Sequence, residues 1–176
     1  MRLLLLASAL LSASLAQAQP FQQQVATESQ PLFQCSQTSV SAMMFIDVAD
    51  AALFSSDCST LPRLAEQVQI SFIYHREFAA EDFIEAAETL LKRNLSKAEY
   101  QQIETDLNSF NEPYQDVVEG DRYDVRSTAD GLKLLKNGEL ISQNTSKILS
   151  KQYFKIWFGT QPFNKKLKKA LLKSDR

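Results

Sequence analysis

The apolar residues of this chain change period several times, and the changes divide it into elements. From Met44 onward Ile46, Val48, Ala52 and Phe54 recur on one face at period two, interrupted by Asp50, which predicts a strand. Val68, Ile70, Phe72 and Tyr74 alternate with Gln69 and Ser71 and predict a second, half-buried strand. The period then lengthens. Phe83, Ala86, Ala87, Leu90 and Leu91 follow helical spacing, with Glu81 and Asp82 at the start and Lys92 and Arg93 near the end, where they complement the helix dipole. Ser96 and Glu99 form a capping box that opens a second helix, striped with Tyr100, Ile103, Leu107 and Phe110 and closed by Pro113.

After Gly120 the period returns to two over Arg122–Ser127, Leu132–Lys136 and Glu139–Ser142. Asp130-Gly131 and Asn137-Gly138 separate these runs, and both dipeptides favour the tight turns of antiparallel hairpins. Ser146 to Phe158 is helical, with Leu149, Tyr153, Ile156 and Trp157 on one side and Gly159 placed to stop it; Asn164 can cap a last helix through Leu172. Strands, two helices, a β-meander and two more helices predict an α+β fold, with helices packed on one face of an antiparallel sheet.

The N-terminus follows a different logic. Met1-Arg2, the apolar run Leu3 to Leu15 and the small residues of Ala16-Gln17-Ala18 read as a secretory signal peptide over residues 1–18, cut after Ala18. The expected destination is the periplasm of a Gram-negative bacterium, or secretion. The run is short of the roughly 20 apolar residues of a membrane span, and no later stretch qualifies. Residues 19–39 read as a mobile, Gln-rich lead-in ending in a first short strand, and residues 40–176 as the domain. An oxidising compartment permits a disulfide between Cys35 and Cys58. The strand between them carries Cys58 past the far end from Cys35, so a bridge requires the loop after Phe54 to fold back; a bridge and two free thiols both stay open.

Candidate chemistry is sparse. The balance of 19 basic and 21 acidic residues gives a net charge of −2, or −3 once Arg2 is removed, without the basic footprint that nucleic acid requires. One His and two Cys do not make a zinc site, so no metal is expected, and without a Gly-rich phosphate loop no cofactor is expected either. Asn94-Leu95-Ser96 and Asn144-Thr145-Ser146 fit glycosylation sequons but read better as helix starts. His75 reads as a surface histidine at a strand end. Arg76 continues the register of Phe72 and Tyr74 toward the rim of the packed face; Arg76 and Tyr74 are therefore the candidate ligand-binding residues, with the guanidinium meeting a carboxylate at two points. The alternative is a solvated arginine just beyond the strand. Lys165, Lys166, Lys168, Lys169 and Lys173 read as a solvated face, with Leu167 and Leu171 docked on the domain, rather than as a membrane-surface helix.

Several segments carry a family likeness: Phe45-Ile46-Asp47-Val48-Ala49-Asp50-Ala51-Ala52-Leu53-Phe54, Tyr74-His75-Arg76 leading into Ala80-Glu81-Asp82-Phe83-Ile84-Glu85-Ala86-Ala87, and Phe110-Asn111. They continue through Val117-Val118-Glu119-Gly120-Asp121-Arg122-Tyr123, Leu135-Lys136-Asn137-Gly138-Glu139-Leu140 and Ile156-Trp157-Phe158-Gly159 with Pro162 and Leu167. In this order, from about residue 40 to 172, the chain resembles the chalcone isomerase-like family of bacterial exported proteins. The resemblance implies an open-faced β-sandwich. Plant members close a flavanone ring between sheet and helices with an arginine, a threonine, a tyrosine, an asparagine and a further hydroxyl. Ser41, Ala49, Ala79, Ala86 and Ile156 stand near those places here. A serine has no fixed charge to stabilise developing negative charge, so no catalytic residue is carried over.

The resemblance thus implies a non-catalytic domain that holds a small apolar, fatty-acid-like ligand or a partner protein. The alternatives are an isomerase or lyase using other residues and a ligand-free structural protein of the envelope. The export reading makes a direct prediction: N-terminal sequencing of the exported protein finds Gln19 first, and an intact Met1 would exclude it.

Overall fold

The computed structural model describes residues 20–42, 46–60 and 67–173. The signal peptide assigned to residues 1–18 and the start of the Met44 strand run lie outside them. Seven strands form one antiparallel sheet in simple sequence order: β1 (Gln24–Val25), β2 (Leu32–Ala42), β3 (Ile46–Ser55), β4 (Val68–Tyr74), β5 (Arg122–Thr128), β6 (Gly131–Lys136) and β7 (Glu139–Asn144). The helices α1 (Ala80–Asn94) and α2 (Lys97–Asn111) are inserted between β4 and β5, and α3 (Lys147–Tyr153), α4 (Lys155–Phe158) and α5 (Lys165–Leu171) follow β7. The α+β architecture expected from the element order is the one observed. No helix of the described residues is long and apolar enough to cross a membrane.

Local chemistry places the elements. Ser96 Oγ accepts from the Glu99 amide while the Glu99 carboxylate accepts from the Ser96 amide, so the capping box starts α2 immediately after α1. Asn137 and Gly138 both take positive φ, 53° and 88°, as a two-residue hairpin between β6 and β7 requires. Asn164 caps α5 by accepting from the amides of Lys166 and Leu167. The helix expected over Ser146–Phe158 breaks at Phe154 into α3 and α4. Gly159 then packs against Asn94 at the end of α1, where a Cβ would collide with Asn94 Oδ1. Asn94 in turn binds the amide and carbonyl of Gln161, each at 2.8 Å, and so ties α1 to the turn after α4.

The main core lies between the helices and one sheet face, with Leu53, Ile70, Val125 and Leu134 meeting Leu91, Ile103, Leu107 and Leu149. The period-two reading of β3 needs correction. Ala51 and Leu53 face the helices, whereas Ala52 and Phe54 turn to the opposite face and pack on Phe21 and Leu32. Both sides of this strand are buried, so its apolar signal is a continuous run rather than an alternation. Asp50 faces away from the core and pairs with His75 at 3.1 Å.

The N-terminal segment is part of the sheet. β1 pairs with β2, β2 is an eleven-residue strand rather than a short one, and Lys133 Nζ reaches Glu28 at 2.6 Å. A polar sequence is held here because the apolar back of β3 needs a cover. Cys35 occupies the register shift between Gln34 and Ser36 on β2, and a 3-10 turn at Cys58–Thr60 folds the loop after β3 back toward it. The two cysteines form a disulfide with Cα atoms 5.2 Å apart.

Closing a loop with a sequence separation of 23 is worth about 3 kcal/mol by chain entropy. Replacing both cysteines by serine is expected to lower the free energy of unfolding in urea by up to about that amount.

Candidate ligand-binding cavity

A cavity of about 250 Å³ opens between the sheet and the helices. Its floor is Val40 of β2, Val48 and Ala49 of β3, Phe72 and Tyr74 of β4, and Tyr123 and Val125 of β5. Phe83, Ala86 and Leu90 of α1 form one wall; Tyr153, Ile156 and Trp157 form the other. Tyr114, from the segment between α2 and β5, closes one side, and the half-exposed Phe163 stands in the wall with the exposed Asp82.

Val48 and Ala49 are neighbours in sequence, yet both line the cavity. The pairing Val40↔Ala49 is followed by Ser41↔Asp47, so Val48 is the extra residue of a β-bulge. A bulge re-aims side chains, and this one puts two consecutive residues on the helix-facing side. The aromatic residues brace one another edge-on: Phe83 lies 5.4 Å from Tyr74 and 5.3 Å from Tyr123, centroid to centroid.

Apart from Asp82 and the Trp157 indole, the polar side chains of this space are phenols. Tyr123 donates to the carbonyl of Gln115 at 2.6 Å and accepts from its amide. The hydroxyls of Tyr114 and Tyr153 lie 3.0 Å apart, and that of Tyr153 reaches Asn111 Oδ1 at 3.3 Å. The Nδ2 of Asn111 is fully buried without a partner among the described residues. The Tyr74 hydroxyl has no hydrogen-bond partner among the described residues either, although it belongs to the cavity floor. Burial pushes Tyr74 and Tyr153 well above the usual phenol range, and the neighbouring tyrosines add to it. Tyr114 is raised too by burial, partly offset by its bond to Tyr153. All three are neutral hydroxyls at physiological pH.

Of the two ligand-binding candidates read from sequence, Tyr74 lines the cavity and Arg76 does not. The strand stops at Tyr74 and the chain bends at His75 and Arg76, leaving Arg76 exposed. Register extrapolation fails there because period-two geometry holds only while the ladder continues. Among the enzyme-like positions, Ala49, Ala86 and Ile156 line the cavity; Ser41 instead donates to Asp47 at 2.6 Å, and Ala79 is exposed ahead of α1. Tyr114 and Tyr123 carried no site signal in the sequence, because each is a lone aromatic whose partners come from distant elements. Leu167 and Leu171 are buried in the core, so the apolar face of α5 is spent on the domain.

A family model described as chalcone isomerase-like matches residues 20–173. No curated protein matches the chain. Among solved structures, the fatty-acid binding protein of Arabidopsis thaliana superposes with a TM-score of 0.58 at 14% identity, over 86% of this chain and 90% of the other. At that identity the likeness is one of fold.

The buried phenols set a direction for alkaline stability. Unfolded tyrosines release their protons near pH 10, while the folded ones retain them, so stability falls as pH rises above about 10. Tyrosinate absorbance is expected to remain below that of the full set of five tyrosines until the fold is lost cooperatively, and Tyr74→Phe is expected to move that loss to higher pH. Complete ionisation with an intact far-ultraviolet circular dichroism spectrum would contradict this.

Proposed function

The chain belongs to the chalcone isomerase-like family, and on that premise we propose that it is a non-catalytic exported domain that holds a small, largely apolar molecule in the cavity between sheet and helices. One observation carries the reading. Ala49, Ala86 and Ile156, which stand near the places where the resemblance to the plant enzymes puts reactive side chains, all line the cavity. The wall keeps its concave shape and gives up the groups that would act on a substrate. Its tyrosines, held neutral by burial, are poor general bases at physiological pH, since an effective base titrates near the working pH.

Size and fold neighbour support the ligand class. An apolar cavity of about 150 Å³ takes a benzene ring, so 250 Å³ accommodates about ten non-hydrogen atoms by proportion. The fold neighbour is a fatty-acid binding protein, which favours an acyl-chain-like ligand over a planar polyphenol. Export to the periplasm, or beyond the cell, is the location that agrees with the signal-peptide pattern of residues 1–18 and with the Cys35–Cys58 bridge.

Trp157 is the single tryptophan and lines the cavity, so its fluorescence reports occupancy. Medium-chain aliphatic compounds are expected to change it saturably, and Ala86→Phe is expected to weaken binding at least tenfold by filling the space. The same protein is expected to leave a chalcone to cyclise at its spontaneous rate. Undiminished binding in Ala86→Phe, or chalcone turnover well above background, would overturn the proposal.

A further inference from the structure

We infer that the cavity selects ligands whose single oxygen function is uncharged, an alcohol, a carbonyl or a protonated acid, over carboxylates, and that the Tyr74 hydroxyl is the group that meets it. The inference rests on the binding role proposed above and specifies its chemistry.

Charge complementarity is the first ground. The described residues that line the cavity include no Lys, Arg or His, and the one charged side chain among them is the acidic Asp82. Asp82 is already engaged, accepting from the Ala79 amide at 3.0 Å as part of the start of α1. Arg76, two residues beyond Tyr74, is exposed on the bend and outside the lining, and Arg122 and Arg126, each next to a floor residue in the chain, donate instead to Asp124 and Gln69. A carboxylate drawn into this space would lose its hydration without gaining a counter-ion, and Asp82 would oppose it.

The hydrogen-bonding pattern is the second ground. Tyr153 gives its proton to Asn111 Oδ1, which leaves Tyr114 to donate to the Tyr153 oxygen across 3.0 Å. The protons of both are thereby committed. Tyr74 has a free donor among these phenols, and it sits on an otherwise apolar floor beside Phe72, 6.3 Å away ring to ring, and Phe83. A neutral oxygen can accept from Tyr74 without bringing any charge inside. Donor and void together make a site for one polar atom, with the rest of the ligand against Trp157, Leu90 and Val125.

The test compares 1-nonanol, nonanoate and a hydrocarbon of the same length on the full mature chain, by Trp157 fluorescence and calorimetry. At pH 7.5 only about one part in a thousand of a carboxylic acid with an ordinary pKa is protonated. Nonanol is therefore expected to bind at least tenfold more tightly than nonanoate at pH 7.5. The apparent affinity for the acid is expected to rise at least tenfold by pH 5.0, while that for nonanol stays level. Tyr74→Phe, which preserves the ring packing, is expected to weaken nonanol at least fivefold and leave the hydrocarbon unchanged, and Arg76→Ala to leave acid binding unchanged.

Nonanoate binding as tightly as nonanol at pH 7.5, loss of acid binding in Arg76→Ala, or nonanol indifferent to Tyr74→Phe at an unchanged melting temperature would each overturn the inference while leaving a binding role standing. Should none of the three compounds bind the wild-type protein, the binding role falls and this inference with it. The comparison among ligands on the wild-type chain stays decisive even if Tyr74→Phe does not fold.

Discussion

Pairing of β4 with β5 across an inserted helical hairpin is the constraint on which the rest of the structure depends. The two strands are neighbours in the sheet, yet α1 and α2 lie between them in the chain. Their near ends are stitched together: the Tyr74 amide donates to the Asp121 carbonyl, the Gly120 amide donates to the Tyr74 carbonyl, and Phe78 and Val117 form a bridge just outside the ladder. Both helices must therefore leave and return at one point, and their apolar stripes can be buried only by lying back over the sheet. α1 is then pinned at its far end by Asn94 against the turn at Gly159 and Gln161. A helix held by hydrogen bonds at both ends cannot collapse freely onto the floor beneath it, which is the physical setting in which a cavity persists in an otherwise close-packed core.

What fills the edges of that space decides its chemistry. The bulge at Val48 adds apolar surface to the floor, α1 contributes the small Ala86, and α4 contributes Trp157. On the floor, polar atoms enter through tyrosines, whose rings are apolar bodies with one hydroxyl each. Burial keeps those hydroxyls protonated, so they offer hydrogen bonds and no charge, and the lining holds no cation among the described residues. The same property that argues against acid–base chemistry argues for recognition of a neutral group.

The opposite face of the sheet solves a different problem. Phe54 and Ala52 would be exposed there without Phe21 and Leu32, so the N-terminal segment serves as a strap. Beside it lies a buried polar row in which Arg126 donates to Gln69 at 2.7 Å, Gln69 to Ser71 at 2.9 Å and Arg122 to Asp124 at 3.1 Å. Burial raises the Asp124 carboxyl above its ordinary value despite Ser71 and the two arginines, and its Oδ1 is without a partner among the described residues. Glu28 of the strap is held below its usual range mainly by the bond from Lys133, so the strap is joined to β6 by a charge pair as well as by apolar packing.

Most of the element order was legible in the sequence because it is local. Helical stripes, the Ser96–Glu99 box, the Asn137-Gly138 turn and the Asn164 cap depend on residues within a few positions of one another, and they stand where their patterns put them. The family, too, was carried by short motifs in a fixed order. What the sequence could not carry were facts about which distant residues meet. The burial of both faces of β3 depends on a strap whose own sequence is polar. The bulge at Val48 is a mismatch in pairing with β2, invisible in either strand alone. Closure of the Cys35–Cys58 bridge depends on a loop folding back, and the exclusion of Arg76 from the cavity depends on the strand ending at Tyr74. Local propensities determine which elements form, because the free energies involved are those of neighbouring backbone and side-chain groups. The cavity and its uncharged, tyrosine-marked interior were decided by tertiary structure, because a void is set by the side chains that fail to meet across it.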